Sequence, residues 1–370
     1  MNRRLPLLEG VAEATSRCTY CPKLCRPACP VSTVEARETT TPWGKMRAMD
    51  ELLRGVPAEE EASRAAVAWA CTGCGRCGTL CLLDNPVAES LWAGRADAFA
   101  NDLAPAAATK VSAGWSETSA RLAAAALREG LATSSADVAV VAGCRGVTER
   151  PDEVRAALRS VASLGGRACG VLGSECCGQP LWDAGDRDGF VAQAKRFVEA
   201  AGAATELVVL DAGCAFALRV LYPQLGLAPS RWRRVEHLAE FAARHLDRLA
   251  EVPFDGTVAV HDSCRLGRGL GVYDAPRAVL HRIVGRAPEE LPNAREHSTC
   301  SGGGGLVPVT RPATAQAMAR ELAGEAGDVT VATTCFSSAQ QLRRAGTKMR
   351  SLAEWIELSL GGADGGGVQR

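Results

Sequence analysis

The sequence predicts a multidomain α+β chain: an N-terminal helical domain carrying two cysteine loops, a helical connector, and two pseudo-repeated α/β units. Three observations predict this architecture. Of 16 cysteines, eight lie between Cys18 and Cys81 in two tight runs, and eight spread from Cys144 to Cys335. An Ala-rich stretch with helical patterning separates the two groups. In the second half, three blocks recur at offsets of 120, 123 and 121 residues, the mark of a duplicated unit. The expected domains are therefore 1–100, a connector over 101–135, a first repeat over 136–255 and a second over 256–360.

The first domain reads as helical because "WGKMRAMDELLRG" places Met46, Met49, Leu52 and Leu53 on one face, and "EEEASRAAVAWA" places Ala62, Ala65, Ala66 and Trp69 on another. The connector, interrupted at Pro105, is expected to end near Gly130. Within the repeats, "DVAVVAGC" matches "TVAVHDSC", "SECCGQP" matches "STCSGGG", and "LVVLDAGCAFAL" matches "VTVATTCFSSAQ". The apolar runs at 137–141, 206–210, 257–260 and 329–332 read as strands buried on both faces, as in parallel sheets. Between them, "DAPRAVLHRIVG" reads as a helix capped by Asp274 and ended by Gly285, with Val279, Leu280 and Ile283 inward. "RPATAQAMARELAG" starts on Pro312 and turns Ala315, Met318, Ala319 and Leu322 inward. Several cysteines thus follow strands directly, at the carboxyl edge where α/β sheets build their sites. The Gly-rich tail "LGGADGGGVQR" is expected to fray.

Composition limits the function. Lys plus Arg and Asp plus Glu both total 42, so no net basic field invites nucleic acid. The apolar run "LPLL" near the N-terminus is too short for a secretory leader, and no run approaches a membrane span. Reduced thiols in a cytoplasmic protein are the expectation, and these favour metal ligation over disulfides.

The loop "CTGCGRCGTLC" holds Cys71, Cys74, Cys77 and Cys81 at the spacing of a [4Fe–4S] ferredoxin loop. Upstream, "CTYCPKLCRPACP" holds Cys18, Cys21, Cys25 and Cys29, with Pro30 after the last and one residue more than the pattern between Cys21 and Cys25. In two-cluster ferredoxins the fourth cysteine of each run serves the other cluster. This assigns Cys18, Cys21, Cys25 and Cys81 to one [4Fe–4S] cluster, and Cys71, Cys74, Cys77 and Cys29 to a second. Zinc held tetrahedrally by two CxxC pairs is the competing reading, but a structural zinc needs four ligands and gives no reason for eight at this spacing. The domain is then an α-helical ferredoxin domain.

Twin ferredoxin loops followed by two "CCG" units resemble the iron–sulfur subunits of glycolate oxidase and anaerobic glycerol-3-phosphate dehydrogenase, and the catalytic subunit of membrane-linked heterodisulfide reductase. The resemblance runs from about Cys18 to about Leu342. In this family one cysteine, then an adjacent pair, then a CxxC define each cysteine-rich CCG unit. Here Cys144 is followed by 31 residues, Cys176 and Cys177, 33 residues and "DAGC", so that Cys214 matches and Asp211 replaces a cysteine. The resemblance implies a third, non-cubane [4Fe–4S]-type cluster held by Cys144, Cys176, Cys177, Asp211 and Cys214, and it explains the adjacent pair as two sulfurs facing neighbouring irons. Buried cysteines of a duplicated fold are the plainer alternative.

The second unit keeps Cys264, Cys300 and Cys335 but has Thr299 and Ala332 at the family's other two positions. It is a weaker iron site, completed by His261, His297 or an external ligand, or else a metal-free packing partner of the first. Gly302–Gly305 lacks the Lys-Ser/Thr of a P-loop and reads as a turn close to a cluster. Cys169 fits no motif and reads as a core thiol. No GxGxxG follows a strand, so no resident flavin or NAD is expected. The implied function is electron relay from a partner FAD-linked dehydrogenase, oxidising a 2-hydroxy acid or similar metabolite, to a quinone or another carrier. A membrane quinone-reducing partner would hold the chain at the inner face of the membrane. Thiol–disulfide reduction at the CCG cluster is the alternative, and a structural zinc protein is a third reading.

Overall fold

The structure is a computed structural model that describes residues 4–361. The expected fraying of the C-terminal run therefore falls, from residue 362 onward, outside the described residues. The chain forms two compact units. One comprises Met1–Trp115, Gly178–Val191 and Glu296–Gly324; the other comprises Ser116–Cys177, Ala192–Arg295 and Glu325–Arg370. No helix among the described residues is long and apolar enough to cross a membrane.

The unit that starts at the N-terminus is helical. Its main helices are Ala12–Thr19, Pro42–Arg54, Ala58–Ala66 and Val87–Ala100. Met46 and Met49 are fully buried, and Leu52, Trp69 and Leu91 join them in one core with Leu5 and Leu8. The second patterned helix stops at Ala66 and tightens into a 3₁₀ turn over Val67–Ala70. Ala65 of the helix and Trp69 of the turn are buried, while Ala62, expected on the inward face, is exposed. Over the stretch expected as a connector, the helices Ala106–Ala113 and Trp115–Arg128 follow, the second ending before a left-handed Gly130.

The other unit holds two parallel four-stranded sheets. The strands are β1 (Val138–Val141), β2 (Gly170–Leu172), β3 (Glu206–Val209), β4 (Arg234–His237), β5 (Val258–His261), β6 (Glu289–Glu290), β7 (Thr330–Thr333) and β8 (Met349–Ser351). The orders are β2-β1-β3-β4 and β6-β5-β7-β8, so the duplication read in sequence is repeated in topology. Val138 pairs with Glu206 in one sheet as Val258 pairs with Thr330 in the other. β1 and β5 are buried along their whole length, as central parallel strands must be. The helix Asp274–Val284 turns Val279, Leu280 and Ile283 inward and ends on Gly285 in the left-handed region, as expected. Asp274 is not its cap: it sits inside the first turn and pairs with Arg295 at 2.9 Å.

The two sheets are stitched where β3 and β7 end. The Ala212 N–H donates to the Thr334 carbonyl at 3.2 Å, and the Phe336 N–H to Asp211 Oδ2 at 2.8 Å. His237 adds a bridge. Its Nδ1 accepts from the Ala239 N–H at 3.0 Å, so Nε2 carries the proton and faces the carbonyls of Leu210 (3.2 Å) and Thr334 (3.1 Å). Burial lowers the His237 pKa, which keeps this neutral tautomer in place.

Candidate iron–sulfur centres

The eight cysteines of the two loops fall into two groups of four, and each group draws one member from the other loop. Cys18 lies in the last turn of the Ala12–Thr19 helix, and its thiol interacts with those of Cys21 and Cys81; Cys25 interacts with Cys18, Cys81 and Cys21. Burial pushes both Cys18 and Cys25 up to about 11, with the neighbouring sulfurs adding to the rise. Asn85 serves this group: its side-chain amide donates to Cys18 Sγ at 2.8 Å, and its backbone N–H to Cys81 Sγ at 3.4 Å.

In the second group, Cys77 interacts with Cys74, Cys71 and Cys29, and burial raises it well above the usual thiol range. Cys29, Cys71, Cys74 and Cys77 line one cavity together with Lys45. Lys45 is 1 % exposed, and its ammonium donates to Cys29 Sγ at 3.1 Å. Burial works against its charge, but the sulfurs of Cys29 and Cys71 prevail and raise its pKa. The Gly73 N–H donates to Cys71 Sγ at 3.3 Å. Beneath the loop lies Arg95, fully buried, whose guanidinium donates to the carbonyls of Ala68, Cys71, Asp183 and Gly305. The expected turn at Gly302–Gly305 packs on this same loop. Gly305 has φ +61°, and a Cβ there would stand 2.4 Å from the Cys71 carbonyl oxygen, so only glycine lets the two backbones meet.

In the other unit, Cys144, Cys176, Cys177 and Cys214 come together. Cys144 hydrogen-bonds with Cys176, and that bond followed by burial raises it well above the usual range. Cys177 bonds with both Cys176 and Cys214; the bond to Cys176 lowers it, but the bond to Cys214 and burial raise it well up. Cys214 is pushed up to about 12 by burial and by Asp211, although its bond to Cys177 pulls down. The fold explains the convergence. Cys144 opens a short helix just after β1, and Cys214 lies in the first turn after β3. Gly143, at φ +73°, lets the backbone pass 3.7 Å from Cys214 Sγ, measured from where its Cβ would be. The Tyr222 hydroxyl donates to the Cys177 carbonyl at 3.1 Å and closes the buried side.

Asp211 stands beside these thiols as the N-cap of the Ala212–Phe216 helix. Its Oδ1 accepts from the N–H groups of Gly213 (2.8 Å) and Cys214 (3.4 Å), and its Oδ2 from Phe336. A carboxylate offers about four lone-pair positions, and three donors take all but one. Of the second repeat's cysteines, Cys335 interacts with Asp211 and Cys264, and burial raises its pKa. Cys300 belongs to the helical unit, where its thiol donates to Thr72 Oγ1 at 3.5 Å. His261 is buried with Nδ1 3.2 Å from Thr333 Oγ1, and His297 is half exposed, 3.6 Å from Glu296. Cys169 is half-buried, 3.6 Å from the Leu158 carbonyl. Among the described residues, no three His, Cys, Asp or Glu side chains close around a point that a single ion would occupy.

The donor sets fit iron–sulfur clusters chemically. Thiolates are the ligands such clusters take, and N–H groups aimed at sulfur are the usual means of tuning them. Raised thiol pKa values mean that binding metal must displace protons. Lys45, Asn85, Arg95 and Tyr222 stand outside the cysteine motifs that the sequence displays. Of these, only Lys45 carries a signal there, as a charge within the buried stripe of Met46 and Met49.

Comparison with known proteins agrees with this reading. A 4Fe–4S dicluster domain model matches residues 14–84, and a cysteine-rich domain model matches twice, over 138–219 and 258–342. A subunit of the fumarate reductase (CoM/CoB) of Methanothermobacter marburgensis is 29% identical over 181 residues, 49% of this chain and 36% of that protein. A subunit of the dihydromethanophenazine:CoB–CoM heterodisulfide reductase of Methanosarcina acetivorans is 35% identical over 168 residues, 43% of this chain and 41% of that one. Lactate utilization protein A 2 of Bacillus cereus is 26% identical over 167 residues, 41% of this chain and 68% of that one. The chain thus spans less than half the length of the first two relatives. No solved structure matches it. The chain belongs with the iron–sulfur proteins that join a 4Fe–4S dicluster domain to a duplicated cysteine-rich domain.

Proposed function

We propose that this chain is the electron-relay subunit of an oxidoreductase complex. Two [4Fe–4S] clusters would be held by Cys18, Cys21, Cys25 and Cys81, and by Cys29, Cys71, Cys74 and Cys77. A third would rest on Cys144, Cys176, Cys177 and Cys214, with Asp211's remaining lone pair beside them. The observation that carries the reading is the exchange of the fourth cysteine between the two loops, the arrangement of two-cluster ferredoxins. The clusters supply one-electron chemistry when bound. The chain's own residues bury the ligands, aim N–H donors at the sulfurs and keep water away.

The partner in this proposal is an FAD-linked dehydrogenase acting on a 2-hydroxy acid, and the acceptor is a quinone or another carrier. The similarity to a lactate utilization protein supports that substrate class. The test is anaerobic purification with iron counting and stopped-flow reduction. We expect at least about eight irons per chain, four for each ferredoxin-type group, and reduction of the clusters by a reduced flavoprotein. A preparation with less iron and no reducible signal would refute the proposal.

The relatives named as heterodisulfide reductase subunits favour a second reading, thiol–disulfide cleavage at the Cys144 group. Turnover of a disulfide by the isolated protein with a reduced viologen would establish it over the first.

A further inference from the structure

The surroundings of the two ferredoxin-type groups differ in charge. The Cys29 group has a buried ammonium in direct contact, Lys45 Nζ 3.1 Å from Cys29 Sγ, and its charge also reaches Cys71 and Cys77. The fully buried Arg95 guanidinium adds to it at the Cys71 carbonyl, partly offset by Asp183 Oδ1 at 4.0 Å. The Cys18 group has neutral donors instead, with Asn85 supplying N–H contacts to Cys18 and Cys81. The cations of its loop, Arg17, Lys23 and Arg26, are exposed and already paired with Glu13 or Glu38, so water and salt screen them.

Burying a lysine without a partner is costly. The local backbone is built to accept this one. Thr41 Oγ1 caps the Pro42–Arg54 helix by accepting from the Gly44 N–H at 3.0 Å, and Gly44 lies so close to the Glu38 carbonyl that a Cβ would be 2.2 Å from it. This packing fixes the first helical turn against the preceding loop and sends Lys45 inward. A side chain placed this firmly, one hydrogen bond from a ligand sulfur, acts on the charge of whatever the sulfurs hold.

We infer that Lys45 is a positioning residue that sets the order of filling of the two clusters, by stabilising the extra negative charge of the reduced state at the Cys29–Cys71–Cys74–Cys77 site. The step it biases is the passage of one electron from the Cys18–Cys21–Cys25–Cys81 site to the Cys29 site. The first is oxidised by one electron, the second is reduced by one, and no proton is taken up or released. Within the relay this makes the Cys29 site the one that holds the electron. The inference rests on the cluster reading proposed above.

The test is potentiometric titration with dithionite, followed by electron paramagnetic resonance, on the full chain with its clusters in place. Asn85→Leu marks the wave belonging to the Cys18 site. Lys45→Met is expected to lower the other, more positive wave by at least about 59 mV, a tenfold change in the one-electron exchange equilibrium. Lys45→Arg is expected to restore most of it. If Lys45→Met takes up less iron than the wild type, Lys45→Gln, which keeps a donor but no charge, is read in its place with the same expectation. An unmoved wave, an equal shift of both, or a shift of the wave marked by Asn85→Leu overturns the inference. If the wild type shows no reducible signal, the functional proposal falls and takes this one with it. Two wild-type waves that Lys45 variants leave unchanged refute this inference alone.

Discussion

Removing the Asp211 carboxylate should weaken the fold at the junction of its two sheets. Asp211→Ala deletes an N-cap and an acceptor for Phe336 N–H. Loss of an N-cap costs about 1 kcal/mol, and loss of a hydrogen bond to a charged group about 1.5–3 kcal/mol. Asp211 is half-buried, so water can take over part of the second, and about 2–3 kcal/mol in all is the working figure. For a unit of 150–250 residues each kcal/mol moves the melting temperature by about 2–4 °C, which gives a drop of about 4–12 °C. Asp211→Asn keeps an Oδ acceptor and caps as well as aspartate, but its NH2 cannot accept from the Phe336 N–H, so it should recover only the cap's share, about 1 kcal/mol. Differential scanning calorimetry on the anaerobic protein measures both. An alanine variant as stable as the wild type, or an asparagine variant as costly as alanine, would refute the capping argument and leave metal ligation as the residue's purpose.

Three further outcomes follow from the geometry. Arg277 bonds both oxygens of Asp262, at 2.7 and 2.8 Å, and both of Glu290, at 2.6 Å. Arg277→Leu would leave the buried Asp262 with the Arg295 N–H and cost about 3 kcal/mol, which urea unfolding would register. Gly305→Ala forces a side chain into the left-handed region against the Cys71 carbonyl; we expect at least about 2 kcal/mol of destabilisation and reduced iron at the Cys29 site. The cluster-free protein should lose stability in alkali. Cys18 and Cys25 rise from an ordinary 9.0 to about 11 on folding, so they stabilise the fold fully below pH 9.0 and lose that contribution as the pH approaches about 11. Urea midpoints that stay flat between about pH 8 and about pH 10.5 would contradict this.

The parts of the fold legible in sequence are those where burial leaves a pattern. β1, β3, β5 and β7 show as apolar runs because they are covered on both faces. β4, β6 and β8 do not, since "RVEH", "EE" and "MRS" are edge segments held by backbone pairing, with no apolar run to announce them. Three members of each cysteine group follow from spacing, because spacing limits which sulfurs a short loop can aim together; the fourth, exchanged between loops, follows only from the two-cluster ferredoxin pattern. Asn85 and Arg95 are illegible: each acts on a sulfur or carbonyl far away in sequence, a relation that only tertiary packing creates. Family analogy makes Asp211 a ligand, yet aspartate directly before a helix also has a local use as a cap, and the structure displays that use.

The seam between the sheets bears on why a worn copy persists. Thr334 and Phe336, from the second repeat, supply the acceptor and donor that steady Ala212, His237 and Asp211 beside the Cys144, Cys176, Cys177 and Cys214 thiols. Such a half is no longer free to drift or be shed. Its inheritance is that of a brace: substitutions that would be harmless in an idle duplicate are, along this margin, felt by the neighbouring thiols. A polypeptide cut at the boundary between the repeats would expose the ends its twin had kept dry.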